Sequence, residues 1–348
     1  MLFLIRAAAS VALLALLVGL LLVAGGLAYL RPQLPDVRAL EHVQMQVPMR
    51  VLSADGVLLG EFGEQRRIPV AYADIPPVLT QAILAAEDDR FFDHPGVDAI
   101  SLVRAALAYA RTGARRQGGS TITMQVARNF FLSPDKTLRR KALEILLALE
   151  IERTLTKQEI FTLYVNRIFL GHRAYGFAAA ARVYFDRPLA ELSLAQAATL
   201  AGLPKAPSRD NPIANPARAE QRRNYVLRRM RELGMASDAQ VQAAMAAPVV
   251  VRRAPARTHV GAPYVAEAAR QWMAERFDEA AYARGYVVHT TVRAGAQRAA
   301  EGAVRTALEN YDARRGWRGP LRRLDAATLA SARATTAALA DLGAPGGQ

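Results

Sequence analysis

From Ala7 to Leu30 the chain runs twenty-four residues without a charge and almost entirely apolar, with Arg6 before it and Arg31 and Pro32 after it. About 20 such residues in a helix cross the hydrocarbon core of a bilayer, where no backbone amide can be left without a partner. Residues 1–31 are therefore predicted to be a transmembrane signal anchor. Ala24, Gly25, Gly26 and Ala28 leave signal-peptide cleavage as the alternative, but the apolar run is longer than a cleaved signal's. Arginines stand on both sides, so flanking charge does not orient the helix.

The 348 residues are enough for two compact units with buried cores. Cysteine is absent, which excludes thiol catalysis, cysteine-ligated metals and disulfide stapling. The net charge of +14 points to an anionic partner such as nucleic acid, acidic lipid head groups or a pyrophosphate. An arginine-rich composition without functional meaning is the competing explanation.

Past the apolar run, Met49 to Leu52 and Val57 to Glu61 read as a strand pair around the Ala54-Asp55-Gly56 turn. From Pro76 to about Gly234 the apolar residues fall at helical spacing, and a proline-rich stretch from Leu203 to Pro216 precedes helices at Ala217–Leu233 and Ser237–Ala246. Beyond Pro248 the pattern predicts strands at Val249–Arg252 and Tyr286–Val292 and helices at Pro263–Phe277 and Gly295–Tyr311.

Within the helical region, Val78 to Phe92 carries Leu79, Ile83 and Ala86 on one face, with His94-Pro95-Gly96 as its stop. Glu87, Asp88 and Asp89 crowd its last turn. Acids at a helix C-terminus oppose the macrodipole and repel one another, and Phe91 and Phe92 add desolvation. A raised carboxyl pKa follows, suited to a general base; a solvated acidic turn is the blander alternative.

Residues 111–121 form a basic, glycine-punctuated loop that feeds Ser120 and Thr121 into a helix over Ile122–Phe131. Ser120 is placed to cap it. Its free amides, with Arg115 and Arg116 nearby, predict a phosphate or pyrophosphate site, and Thr121, Gln125, Arg128 and Asn129 continue a polar stripe. The helix from Thr137 to Thr154 sets Arg140, Lys141 and Glu144 on one face, either as a structural ion network or as part of an anion site. Thr156 and Glu159 make a capping box for the helix carrying Tyr164, a core or site residue, and Asn166, a candidate C-cap. Ser133-Pro134-Asp135-Lys136 matches the S-x-x-K of penicillin-reactive enzymes but lacks the S-x-N and K-T-G partners, so it reads as a connecting loop.

Taken in order, five stretches resemble the family 51 glycosyltransferase domain of class A penicillin-binding proteins. They are Glu87-Asp88 through Phe91, His94, Gly96 and Asp98; Gly118 to Gln125, including Thr123; Arg140-Lys141 with Glu144; Tyr164 and Asn166 with Gly171 and Tyr175-Gly176; and Leu194 to Pro212. The resemblance implies a mainly α fold. A transmembrane helix leads into a lysozyme-like two-lobed helical glycosyltransferase domain over 45–235, and 249–348 forms a small α/β linker leading toward a transpeptidase region that this chain lacks.

The implied reaction polymerises lipid II onto a growing glycan strand with inversion and release of undecaprenyl pyrophosphate, outside the cytoplasmic membrane. Glu87 is the implied base. Arg128, Arg140 and Lys141 hold the leaving group, and Glu144 orients those cations or a divalent ion, Mg or Mn. Asp88, Phe91, His94, Ser120, Thr121, Thr123, Gln125, Asn129, Tyr164 and Asn166 complete the implied substrate site. Partners are the membrane and cell-wall synthesis proteins rather than nucleic acid. Met124 and Gln196 depart from the family pattern of a glutamine and a glutamate at those places. A glycan hydrolase of similar fold and a non-catalytic membrane scaffold are the rival readings.

Overall fold

The computed structural model describes residues 25–26, 28–41, 43, 45–63, 66–101, 103–104, 119–133, 135, 137–251, 261–315 and 323–340. Most of the apolar run, Arg115 and Arg116 lie outside these residues. Among the described residues no helix is long and apolar enough to cross a membrane.

The chain is mainly helical with a small sheet component. In chain order its elements are β1 (Met49–Leu52), β2 (Leu58–Phe62), β3 (Arg66–Arg67), α1 (Pro77–Glu87), α2 (Ile122–Phe131), α3 (Leu138–Thr154), α4 (Lys157–Arg167), β4 (Ala174–Tyr175), α5 (Phe177–Phe185), α6 (Leu194–Gly202), α7 (Pro216–Glu232), α8 (Asp238–Ala246), α9 (Pro263–Phe277), α10 (Ala280–Ala283), β5 (Val287–His289), α11 (Ala294–Arg314), α12 (Ala326–Leu329) and α13 (Ala332–Ala340). Contacts divide the chain into two compact units.

The larger unit holds residues 62–255 together with 1–49 and 276–286. In it α1 packs on α6 and α7, while α2 packs on α3 and α4. The partnering follows from side-chain size and spacing. Five of the nine residues of α6 are alanine or glycine, all four alanines are buried, and the helix opens with a capping box between Ser193 and Gln196. Small side chains let neighbouring backbones approach closely. On α7 the residues Ala219, Arg223, Val226, Leu227 and Met230 are buried at helical spacing. Arg223 survives burial because its guanidinium donates to the Ala247 and Met245 carbonyls at 2.6 and 2.8 Å, which satisfies the end of α8.

Two local expectations are corrected. The helix carrying the acids ends at Glu87, because Asp88 leaves helical geometry at φ −164° and ψ 83° while its amide still donates to Leu84. Ser120 does not cap α2; the cap is Thr121, whose hydroxyl accepts from the Met124 amide at 3.1 Å. The expected Thr156–Glu159 box does cap α4, and α3 is capped by Thr137.

In the smaller unit β1 lies at the centre of a three-stranded sheet ordered β2-β1-β5. β1 and β2 flank the Asp-Gly turn, where Gly56 takes φ +79°. β5 runs parallel to β1, with Val51 opposite Val288, and Asp55 accepts from the Ala294 amide at 3.0 Å to start α11. The strand expected over 249–252 does not form among its described residues, 249–251.

Candidate active site

α1 delivers Glu87 to the rim of a cleft of about 590 Å³ within the larger unit. Its side chain is only 14% exposed. Gln125 on α2 donates to Oε2 at 2.8 Å, and the Arg222 guanidinium on α7 stands 3.8 Å from Oε1. Burial raises the Glu87 pKa, and the Gln125 amide with Arg222, Arg128 and Lys205 recovers part of that shift. The expected direction is found, and of the expected causes desolvation carries it while mutual repulsion does not, because the three neighbouring acids are parted.

Asp88 turns inward and Asp89 turns to α7. The buried Asp88 carboxylate accepts from His94 Nε2 at 3.0 and 3.1 Å and from the Ile122 amide at 2.9 Å. His94 Nδ1 accepts from the Gly96 amide at 3.2 Å, so the ring is bound on both sides. Asp89 pairs with Arg229 at 2.8 Å.

The start of α2 is therefore already occupied by the protein's own anion. A carboxylate at a helix N-terminus satisfies both the free amide and the positive end of the dipole. Of the amides expected to hold a phosphate, those of Ile122 and Met124 are thus taken by Asp88 and Thr121, while Arg115 and Arg116 lie outside the described residues. Thr121 adds a tie by donating to the Gly96 carbonyl at 2.6 Å.

Six of the expected residues line the cleft: Glu87, Asp88, Ser120, Thr121, Gln125 and Arg128. Lys141 adjoins it through Ser120, to which Nζ donates at 2.8 Å, while the same ammonium pairs with Glu144 at 2.7 Å and approaches the Met124 sulfur at 3.5 Å. Glu144 is 1% exposed and acts on Lys141. Arg140 Nε is buried without a hydrogen-bond partner among the described residues.

The other expected residues are not brought to the cleft lining. Phe91 and Tyr164 are fully buried in the apolar core. Thr123 donates to Glu152, which also holds Lys157 at 2.8 Å. Asn129 offers its carbonyl to Arg167. Asn166 is no C-cap, a place taken by Ile168; its amide bridges the Val70 carbonyl and amide at 2.8 and 2.9 Å, as a strand neighbour would. Ser133, in the connecting loop, donates to Asp135 at 2.9 Å.

Sequence reasoning missed Arg222, Lys205, Tyr225 and Arg229, which line the same cleft, along with Ser101 and Arg104. Asp98, also lining it, is held by Arg90 and Ser101. Burial opposes its ionisation, but the Ser101 and Arg90 hydrogen bonds outweigh this and bring its pKa down to about 2.

No group of three or more acidic or histidine side chains capable of holding a metal occurs among the described residues. The Glu144 carboxylate is taken up by the Lys141 ammonium. That donor set does not fit a divalent cation.

The transglycosylase family profile matches residues 55–231. Penicillin-binding protein 1A of Pseudomonas aeruginosa is 52% identical over 309 residues, covering 89% of this chain and 38% of that protein. The protein of the same name in Escherichia coli K12 is 47% identical over 292 residues, covering 84% of this chain and 34% of that one. A crystal structure of Penicillin-Binding Protein 1A from Haemophilus influenzae shares 37% identity over 81% of this chain and 32% of that chain, with a TM-score of 0.46. The chain thus spans at most about 38% of the length of these curated relatives.

Proposed function

The chain belongs to the transglycosylase family, and on that premise we propose that it is a peptidoglycan glycosyltransferase acting on lipid II. The observation that carries the reading is Glu87: a carboxylate mostly withdrawn from water, one oxygen held by Gln125, the other on a cleft whose walls bear Arg128, Arg222 and Lys205.

In this reading Glu87 Oε1 takes the proton of the 4-hydroxyl of the acceptor N-acetylglucosamine. That oxygen attacks the anomeric carbon of the donor N-acetylmuramic acid from the side opposite the leaving group. The bond to undecaprenyl pyrophosphate breaks, the configuration inverts, and the diphosphate carries away the electron pair. A base with a burial-raised pKa suits this transfer near neutrality. Arg128, with Lys141 beside Ser120 and Arg140 next to Lys141 in sequence, supplies the positive charge that stabilises the departing diphosphate, and Glu144 fixes Lys141.

A glycan hydrolase is less well supported. It uses a second carboxyl across the sugar, as acid or nucleophile. Here Asp88, Asp89, Asp98 and Glu232 on the cleft are each committed to an internal partner. The basic walls instead suit a charged leaving group.

The same reading assigns residues 1–31 as a single-pass anchor with the bulk of the chain outside the cytoplasmic membrane. Residues 45–235 form a lysozyme-like, two-lobed transferase domain, supported by the separate packing of α1 with α6 and α7 and of α2 with α3 and α4. Residues 249–348 form a linker of the kind that leads into a transpeptidase region, and cell-wall synthesis proteins are its partners.

The test is turnover of lipid II by the full chain in detergent. Long glycan strands are expected from the wild type, and Glu87→Gln should lower the rate by about 10²- to 10⁴-fold, the usual worth of general base catalysis. Retained turnover in Glu87→Gln, or shortening of preformed glycan by the wild type, overturns the reading.

A further inference from the structure

Arg222 sits at Glu87 in a seat built for it. Its side chain is 12% exposed. Nε donates to the Gly202 carbonyl at 3.2 Å, and the guanidinium carbon lies 4.6 Å from the Tyr225 ring centroid, within cation–π range. Gly202, the last residue of α6, is required by that seat: a Cβ there would lie 2.7 Å from Arg222 Cγ. Nη2 then reaches to 3.8 Å from Glu87 Oε1.

That distance is long for a hydrogen bond and short for a charge contact. Gln125 fully engages Oε2 at 2.8 Å, whereas Oε1 is attracted but not occupied. The two oxygens of one carboxylate are thereby made unequal.

We propose that Arg222 is a positioning residue for Glu87: seated by Gly202 and Tyr225, it turns Oε1 toward the cleft as the proton-accepting oxygen and keeps the carboxylate ionised between turnovers. The proposal rests on the glycosyltransferase reading above and adds the oxygen that reacts and the residue that aims it. The charged and titratable groups around Glu87 are Arg128 from α2, Arg222 from α7, Lys205 from the turn after α6, Asp88 and Asp89 next in sequence, and the Tyr164 hydroxyl from α4. Asp88 and Asp89 have their own partners. Of the cations, Arg222 is the one paired with Glu87 within 4 Å.

The sign follows from the charge. Removing a cation beside a carboxylate makes its proton harder to lose, so the acid limb of kcat/KM must move to higher pH. Lipid II turnover by the full chain, measured across that limb, tests this in three variants. Arg222→Gln should lower kcat/KM about tenfold on the acid side, the effect of a close opposite charge, and approach the wild-type value at alkaline pH. Arg222→Lys should restore most of the limb's position. Gly202→Ala keeps the charge but displaces it, and should shift the limb in the same direction as Arg222→Gln. A uniform loss at every pH, or an unmoved limb in both Arg222→Gln and Gly202→Ala, overturns the proposal. If Arg222→Gln fails to fold, Gly202→Ala and Arg222→Lys decide the matter. A wild type inert on lipid II throughout overturns the functional reading itself and is distinguishable from either result.

Discussion

Replacing Phe91 by alanine separates two roles that the same residue type can play. Phe91 is fully buried; its ring meets Phe92 edge-on at 5.0 Å and Phe161 at 6.0 Å, and the Lys157 ammonium stands 4.4 Å over its centroid. Truncating a core phenylalanine costs about 3–5 kcal/mol, and losing a partly desolvated cation–π contact adds about 0.5–2 kcal/mol. A loss of about 5 kcal/mol is therefore expected. It is a large share of the roughly 5–15 kcal/mol by which domains are stable. Phe91→Leu loses less volume but also the ring under Lys157, and should cost about 1–3 kcal/mol.

Urea unfolding of the full chain, followed by far-ultraviolet circular dichroism, measures both variants. Lipid II kinetics on the folded Phe91→Leu protein should leave KM within about twofold, since a ring that touches no substrate contributes no uniform binding. A Phe91→Ala loss below about 1 kcal/mol, coupled with a several-fold rise in KM in Phe91→Leu, would show that the ring meets substrate and refute the argument.

Two further changes probe the same region. Gly96 holds φ +91°, and a Cβ there would lie 2.7 Å from the Ala148 carbonyl oxygen, a backbone atom with no rotamer to yield; Gly96→Ala should cost about 3 kcal/mol and lower activity by displacing His94 from Asp88, and a wild-type unfolding midpoint would contradict this. Glu144→Gln leaves the Lys141 ammonium without its carboxylate, but Lys141 is 35% exposed, so the cost should fall to about 1–2 kcal/mol rather than the full penalty for a buried pair; thermal melts together with KM for lipid II check it, and no change in either would mean that the pair serves neither stability nor the site.

The helices were legible because their causes are local. Apolar spacing and caps act within a turn or two, and α3, α4, α7 and α8 lie where periodicity and the Thr156–Glu159 capping box predict. Local signals also misled where two residues compete for one task. Ser120 and Thr121 both suit a cap, and only the Lys141 ammonium, which draws on the Ser120 hydroxyl, separates their roles. Likewise the acidic run suggested three carboxylates repelling one another. The fold gives each its own partner on a different element: Gln125, His94 and Arg229.

By itself the amino-acid order determined the helical character of the chain, the strand pair around Asp55-Gly56, and a carboxylate delivered at the end of a helix. Tertiary structure decided what surrounds that carboxylate. Helix α7 carries six arginines, Arg218, Arg222, Arg223, Arg228, Arg229 and Arg231, and no spacing rule tells that Arg222 faces Glu87 while Arg223 beside it caps α8. It likewise decided that β5 pairs with β1 from more than two hundred residues away. The reason is range: periodicity and capping are set by neighbours along the chain, whereas burial, ion pairing and a shifted pKa are set by whatever atoms the fold brings within a few ångströms.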